Sequence, residues 1–133
     1  MKTIQIAGGG LAGLATGIAL RQRCVPVVIH EAGDLPRHRV CGEFIAGLDG
    51  ATIEALALEP LLTDAPRHDA MLWHIAGREV GRSNFPQPAI GISRHALDSR
   101  MAAAFQDAGG ELRLRSRAKF EPGAEGWLDA TGR

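Results

Sequence analysis

Gly8, Gly10 and Gly13 form the pattern G-x-G-x-x-G near the start of the chain. The chemistry such spacing serves is the holding of a pyrophosphate. The first glycine permits a tight turn, the second lets the backbone approach a phosphate closely, and the third lets a helix pack against a strand. Leu11 and Ala12 would open that helix and present its free N–H groups and partial positive charge to the phosphates. Glu31 follows Gly13 by 18 residues. A carboxylate there can accept hydrogen bonds from the ribose hydroxyls of an adenine dinucleotide, and it disfavours a ribose 2′-phosphate such as that of NADP. The blander alternatives are a glycine-rich turn without a ligand and a solvated carboxylate at a strand end. The pattern gains weight only where a strand precedes it and a helix follows.

The flanking residues predict that context. Residues 3–7 are mostly apolar and read as a short strand. Leu11, Leu14, Ala15 and Ile18 recur at helical spacing, and the helix should end near Arg21 to Arg23, where cations suit its C-terminus. Gly17 lies one turn after Gly13 and extends the close-packing surface. Residues 25–29 are β-branched except for Pro26, which suits the start of a second strand. Such a β-α-β order implies parallel strands and a right-handed crossover.

Further along, residues 33–42 read as a loop holding the basic cluster Arg37-His38-Arg39. A short helix is expected over 50–58, and a hairpin over 71–75 and 78–82 around Ala76-Gly77. Pro86 and Pro88 should break the chain, with another short strand at 89–92. Ser93 is a good N-cap for a helix whose apolar face is Leu97, Met101, Ala104, Phe105 and Ala108. Gly109 is placed to end that helix in a left-handed conformation. Helix 93–109 should pack back on the parallel sheet. Leu112 and Leu114 alternate with arginines, so 111–116 reads as a half-exposed strand joining nearby, and 126–133 as a last strand running into a turn.

Composition narrows the function classes. The chain has 133 residues, which suits one domain, and 15 basic residues balance 15 acidic ones. No basic patch argues for nucleic acid and no polybasic or amphipathic stretch for a membrane surface. Residues 3–20 carry no charge and follow Lys2, a faint likeness to a secretory leader, but Gly8, Gly9, Gly10, Gly13 and Gly17 make a poor hydrophobic span. Cys24 and Cys41 form no CxxC pair, and no His/Cys spacing suggests zinc or another metal. A reducing cytoplasm is therefore the expected compartment. The five histidines do not cluster, and no catalytic residue is assigned.

Glu31, Pro36-Arg37 and Val40-Cys41-Gly42-Glu43-Phe44 together resemble the geranylgeranyl-reductase-like branch of the FAD-dependent monooxygenase superfamily. Ile92-Ser93-Arg94-His95-Ala96-Leu97-Asp98 is similar to that family's Arg-x-x-Leu/Phe-Asp helix start, and Asp129-Ala130-Thr131-Gly132-Arg133 to its Asp-Ala-Ser-Gly-Arg turn. The resemblance implies FAD as cofactor. It places Gly8, Gly10, Gly13 and Glu31 on the ADP half, Arg37 near the phosphates or ribose, Cys41, Gly42 and Glu43 beside the flavin, and Arg94 on FAD at its helix start. It implies NAD(P)H as a reductant and a small hydrophobic or aromatic organic substrate. Read from the residues alone, Arg37 serves equally as a solvated loop cation and Cys41 as a small buried hydrophobe. Glu43 reads equally as an exposed acid, and Arg94 with Asp98 as a surface ion pair. Trp73 and Trp127 read as core or sheet residues.

The sequence departs from the family at two places. Thr131 stands where many relatives have Asp, and 112–128 leaves little room for the usual meander of strands. The family also continues well past the equivalent of Arg133. The expected fold is thus α/β: a Rossmann-like β-α-β unit with a parallel sheet, plus an incomplete mixed or antiparallel substrate region. It would form one FAD-binding domain over 1–133, shortened at its C-terminal end, with 60–92 as a partial substrate-region insertion. Two other functions stay open: a non-catalytic remnant that binds FAD or ADP weakly, and a small NAD-binding module.

Overall fold

The computed structural model describes residues 1–41, 43–119 and 123–132. The chain divides into two compact units, one of Met1–Arg39 with His95–Arg133, the other of Val40–Arg94.

The first unit is built on four parallel strands. These are β1 (Ile4–Ala7), β2 (Val27–His30), β6 (Glu111–Arg113) and β7 (Trp127–Asp129), side by side in the order β6-β2-β1-β7. The expected strands start within a residue or two of the expected places, though β6 ends at Arg113, three residues short of the 111–116 expected, and Pro26 falls just before β2, where its missing N–H costs no ladder bond. Helix α1 (Leu11–Gln22) joins β1 to β2, and helix α4 (Arg94–Asp107) begins directly after Ser93.

Ile6 and Ile29 lie opposite each other in the sheet, both fully buried. Phe105 of α4 is likewise buried, and a side chain on Gly17 would come 2.8 Å from its ring and 2.9 Å from Ile29 Cδ1. The small residue in α1 is what lets α4 and β2 converge there. Burying Phe105 and Ile29 stabilises the unit by about 1.5–3 kcal/mol each. Gly109 takes the left-handed conformation at φ +80° and ends α4. Arg21 fastens the far end of this layer, its Nε donating to the Ala108 carbonyl and Nη1 to that of Val25, each at 2.9 Å.

The second unit is an antiparallel sheet with two short helices. Its strands are β3 (Phe44–Ile45), β4 (Arg67–Ile75) and β5 (Arg78–Gly91), in the order β3-β5-β4. The helices are α2 (Gly50–Ala55) and α3 (Glu59–Leu62). Asp49 caps α2, accepting from the Thr52 N–H, and those bonds hold its carboxyl below the usual carboxylate range. The hairpin turn lies at Ala76-Gly77, both with positive φ, as a two-residue turn between twisted strands requires.

Three features depart from the sequence reading. Pro86 and Pro88 do not break the chain, since β5 runs through them. The register passes from Asn84, opposite Ala70, to Ala89, opposite His68, so both prolines fall in an irregularity where no ladder N–H is needed. The expected helix over 50–58 ends at Ala55. A further turn of helix follows from Glu59, where Pro60 sits in the first turn and is tolerated.

Candidate functional site: a glycine cradle at the start of α1

The three patterned glycines stand in different surroundings, and the fold itself requires only two of them. Gly8 has φ +105° and donates its N–H to the His30 carbonyl at 2.8 Å. A side chain there would collide with the Ala130 carbonyl oxygen, just past β7. A side chain on Gly13 would collide with the Gly8 carbonyl, so α1 can lie this close to the turn only without one. Gly10 is unlike both. It is the N-cap of α1 in extended conformation, and a Cβ added there would meet no atom within 4 Å. Nothing in the described protein requires a glycine at position 10. The effect of its bareness is an open approach to the helix N-terminus.

That N-terminus carries no side-chain cap and no acidic residue in its first turn. The opening N–H groups of Leu11, Ala12 and Gly13 have no partner within the helix, as in any α-helix, and the dipole makes the end electropositive. The geometry is that of an anion cradle.

Glu31 closes one side. It follows β2 directly and is 5% exposed. Its Oε2 accepts the Gly9 N–H at 2.9 Å, and its Oε1 accepts the Gly33 N–H at 3.0 Å. Arg37 Nη2 lies 3.6 Å from Oε1. The sequence reading offered Glu31 as a ribose acceptor or a solvated strand-end carboxylate; it is instead buried, and it holds the glycine turn to the loop after β2. Carboxylate oxygens offer about four acceptor sites, so room for ribose hydroxyls remains. Gly9 was passed over in the sequence reading. A side chain there would come 2.9 Å from Glu31 Cβ, and the only signal was the third glycine in the run.

The basic cluster 37–39 is tied down residue by residue. Arg37 pairs with Glu31, His38 stacks on His95 with ring centroids 4.8 Å apart, and Arg39 Nε lies 3.6 Å from Asp98 Oδ2. Asp98 is fully buried. The reading of Asp98 as a surface residue is therefore corrected: α4 turns it inward, toward the cation of a distant loop.

The C-terminal turn also reaches the cradle. The Ala130 N–H donates to the Ala7 carbonyl at 2.8 Å, which brings Ala130 against Gly8. Asp129 Oδ1 accepts from the Thr131 N–H at 3.0 Å and its hydroxyl at 2.7 Å, which lowers the Asp129 pKa. Thr131 is thus a turn-fastening residue, while Arg133 lies outside the described residues. Behind the site, His30 bonds Ser116 Oγ and Gln5 Oε1 at 2.9 and 2.8 Å and stacks on Trp127. Burial pushes the His30 pKa below its usual value, the Arg113 charge pushes the same way, and Glu111 opposes them.

The remaining expected site residues belong to the second unit. Cys41 is solvent-exposed, which corrects its reading as a small buried hydrophobe. Gly42 lies outside the described residues. Glu43 is exposed at φ +57°, its carbonyl accepting the Ile92 N–H at 2.8 Å, and Arg94 is half-buried at the first position of α4. Among the described residues, no group of three His, Cys, Asp or Glu could hold a metal ion, and no helix is long and apolar enough to cross a membrane.

No protein-family model matches the chain, and no curated protein matches it. Solved structures do. It superimposes on 2-methyl-3-hydroxypyridine-5-carboxylic acid oxygenase with a TM-score of 0.77 at 22% identity, over 89% of this chain and 32% of that one. The flavin-dependent monooxygenase PieE, in complex with FAD and substrate, gives 0.71 at 21% identity, over 86% and 24%. p-Nitrophenol 4-monooxygenase PnpA from Pseudomonas putida DLL-E4 gives 0.73 at 16% identity, over 86% and 33%. The chain therefore has the fold of one region of these enzymes and spans about a third of their length or less.

Proposed function

We propose that the first unit grips the ADP half of FAD, and that the chain serves as the cofactor-holding part of a flavin-dependent oxidoreductase of the monooxygenase type. The observation that carries this is the bare Gly10 at the uncapped start of α1. A ligand phosphate would lie there, against the N–H groups of Leu11, Ala12 and Gly13. Glu31 would accept the ribose hydroxyls with the lone pairs its protein bonds leave free. Arg37, exposed beside Glu31, would stand over the phosphates or ribose. FAD supplies electron transfer between a reductant and an organic substrate or O2; the protein contributes position and shielding.

Likeness in fold to PieE, named as flavin-dependent and solved in complex with FAD, supports FAD over NAD. So does the resemblance carried by Val40–Phe44, which also gives Cys41, Gly42 and Glu43 their flavin-side roles within the proposal, while the resemblance of Ile92–Asp98 gives Arg94 its place on FAD at the start of α4. NAD(P)H as reductant and a small aromatic or hydrophobic substrate belong to the same reading. The prenyl-reductase variant rests on the resemblance of Glu31, Pro36-Arg37 and the 40–44 segment taken together. We expect the hairpin of β4 and β5 to serve the substrate region.

The test is a calorimetric titration of the chain with FAD, ADP, NAD and NADP in parallel. FAD and ADP should bind more tightly than NAD, and NADP most weakly. NAD binding more tightly than FAD overturns the proposal.

A further inference from the structure

A hollow of about 290 Å³ lies wholly within the second unit. That is close to the ~300 Å³ lower end of small-molecule sites. Phe44, Met71 and Phe85 give it apolar walls. Among the described residues that line it, Glu43 is the one carboxylate and His68 the one imidazole, and none is Lys or Arg.

From this lining we infer that the hollow is a binding site for a small aromatic ring carrying an ammonium or other hydrogen-bond-donating group, with Glu43 as its selector. An apolar hollow of this size accommodates a flat ring of one or two cycles. A lone carboxylate beside it attracts a donor and repels an anion, and no lysine or arginine among the described lining residues reverses that preference.

Two features of the backbone point to a role beyond folding. Glu43 has φ +57°, a left-handed conformation that a glycine adopts freely and a glutamate only at a cost. The pairing of Phe44 with Gly91 and the 2.8 Å bond from the Ile92 N–H to the Glu43 carbonyl hold it there. Strain of this kind gathers at ligand sites. The second feature is Gly91, where an added Cβ would lie 2.9 Å from His68 Nε2. A side chain there would push the His68 ring from its present place in the lining. The inference rests on the reading of the β4–β5 hairpin as a substrate region and shares Glu43 with the cofactor reading, while its geometry lies wholly in the second unit.

The experiment titrates the chain with 2-naphthylmethylamine, 2-naphthylmethanol and 2-naphthoate, which present one ring with cationic, neutral and anionic groups. Calorimetry gives the affinities and amide chemical shifts locate the binding. The amine should bind most tightly and the naphthoate least, with shifts centred on Phe44, His68 and Phe85. Glu43→Gln should lower the amine-to-alcohol ratio by about tenfold, the scale of one charge-assisted hydrogen bond. Glu43→Gly should lower it equally while raising the urea midpoint, because it relieves the left-handed glutamate. It therefore keeps the test open if the glutamine variant folds poorly. Naphthoate binding as tightly as the amine overturns the inference. So do shifts confined to other residues, an unchanged ratio in both variants, or no saturable binding of any probe. FAD binding is read in a separate titration, so either reading can fail alone.

Discussion

Gly10→Ala and Gly13→Ala add the same single methyl group three residues apart, and the structure assigns them opposite consequences. At Gly13 the methyl collides with the Gly8 carbonyl, a backbone atom that cannot swing aside. Helix α1 would have to lift off the turn, giving up part of the packing of Leu14, Gly17 and Ile18. We expect a loss above about 4 kcal/mol, in the range reserved for core disruption, which is a large share of a small domain's stability. At Gly10 the methyl meets nothing within 4 Å. The fold loses only the difference between glycine and alanine as an N-cap, about 1 kcal/mol. A phosphate held against the same helix end would be pushed outward. Losing one charge-assisted hydrogen bond costs about 1.5–3 kcal/mol, or roughly ten- to a hundredfold in affinity. Urea unfolding of both variants, followed by FAD titration of whichever remains folded, separates the two effects. Gly10→Ala that unfolds like Gly13→Ala, or that binds FAD as well as the parent chain, would refute the assignment of a ligand cradle.

Glu31→Ala should destabilise the apo-chain by about 2–4 kcal/mol, because it orphans the buried Gly9 N–H and releases that of Gly33; an unchanged urea midpoint would show that the carboxylate does not hold the turn. Asp98→Ala should cost about 3 kcal/mol, since it strands Arg39, whose buried Nε has no hydrogen-bond partner to fall back on; thermal unfolding reads this directly, and near-parent stability would count against a buried pair. His30 is held below its ordinary pKa of 6.5, so the unfolded chain binds more protons just beneath that value. Stability should therefore fall as pH drops below 6.5 toward the folded pKa and be level above it, and His30→Asn should flatten this slope in a pH series of urea melts. A slope that survives the substitution belongs to another group.

Much of the cradle was legible because each part leaves a local mark. The alternation of β1, the β-branched run of β2 and the helical recurrence of Leu11, Leu14 and Ile18 are read within a few residues. What escaped was set by long-range partners. Asp98 reads as surface from its neighbours on α4, whereas in the fold it is buried facing Arg39, far earlier in the chain. Pro86 and Pro88 were misjudged because their cost depends on whether a facing strand asks for their N–H. β3 has two residues and α3 four, too few to show a period. The distinct roles of Gly8, Gly10 and Gly13 were partly legible. The pattern names all three, but only their surroundings show that two serve the fold and one is left open.

The loop after Glu31 carries the cation that the cofactor reading needs, and its geometry says how that cation is kept available. His38 and Arg39 are both engaged with α4 residues, by stacking on His95 and by the buried Asp98. These contacts fix the loop on either side of its freedom to drift and leave Arg37, the more exposed of the two arginines, beside Glu31. A separation of 3.6 Å is looser than a good charge-assisted hydrogen bond, and Arg37 is well hydrated, so releasing it costs little. A phosphate at the start of α1 would compete for Arg37 on favourable terms, while Glu31 keeps its two backbone donors and turns its remaining lone pairs to a ribose. On this reasoning, the carboxylate and the guanidinium are held against each other and would separate where a dinucleotide offered each a better partner.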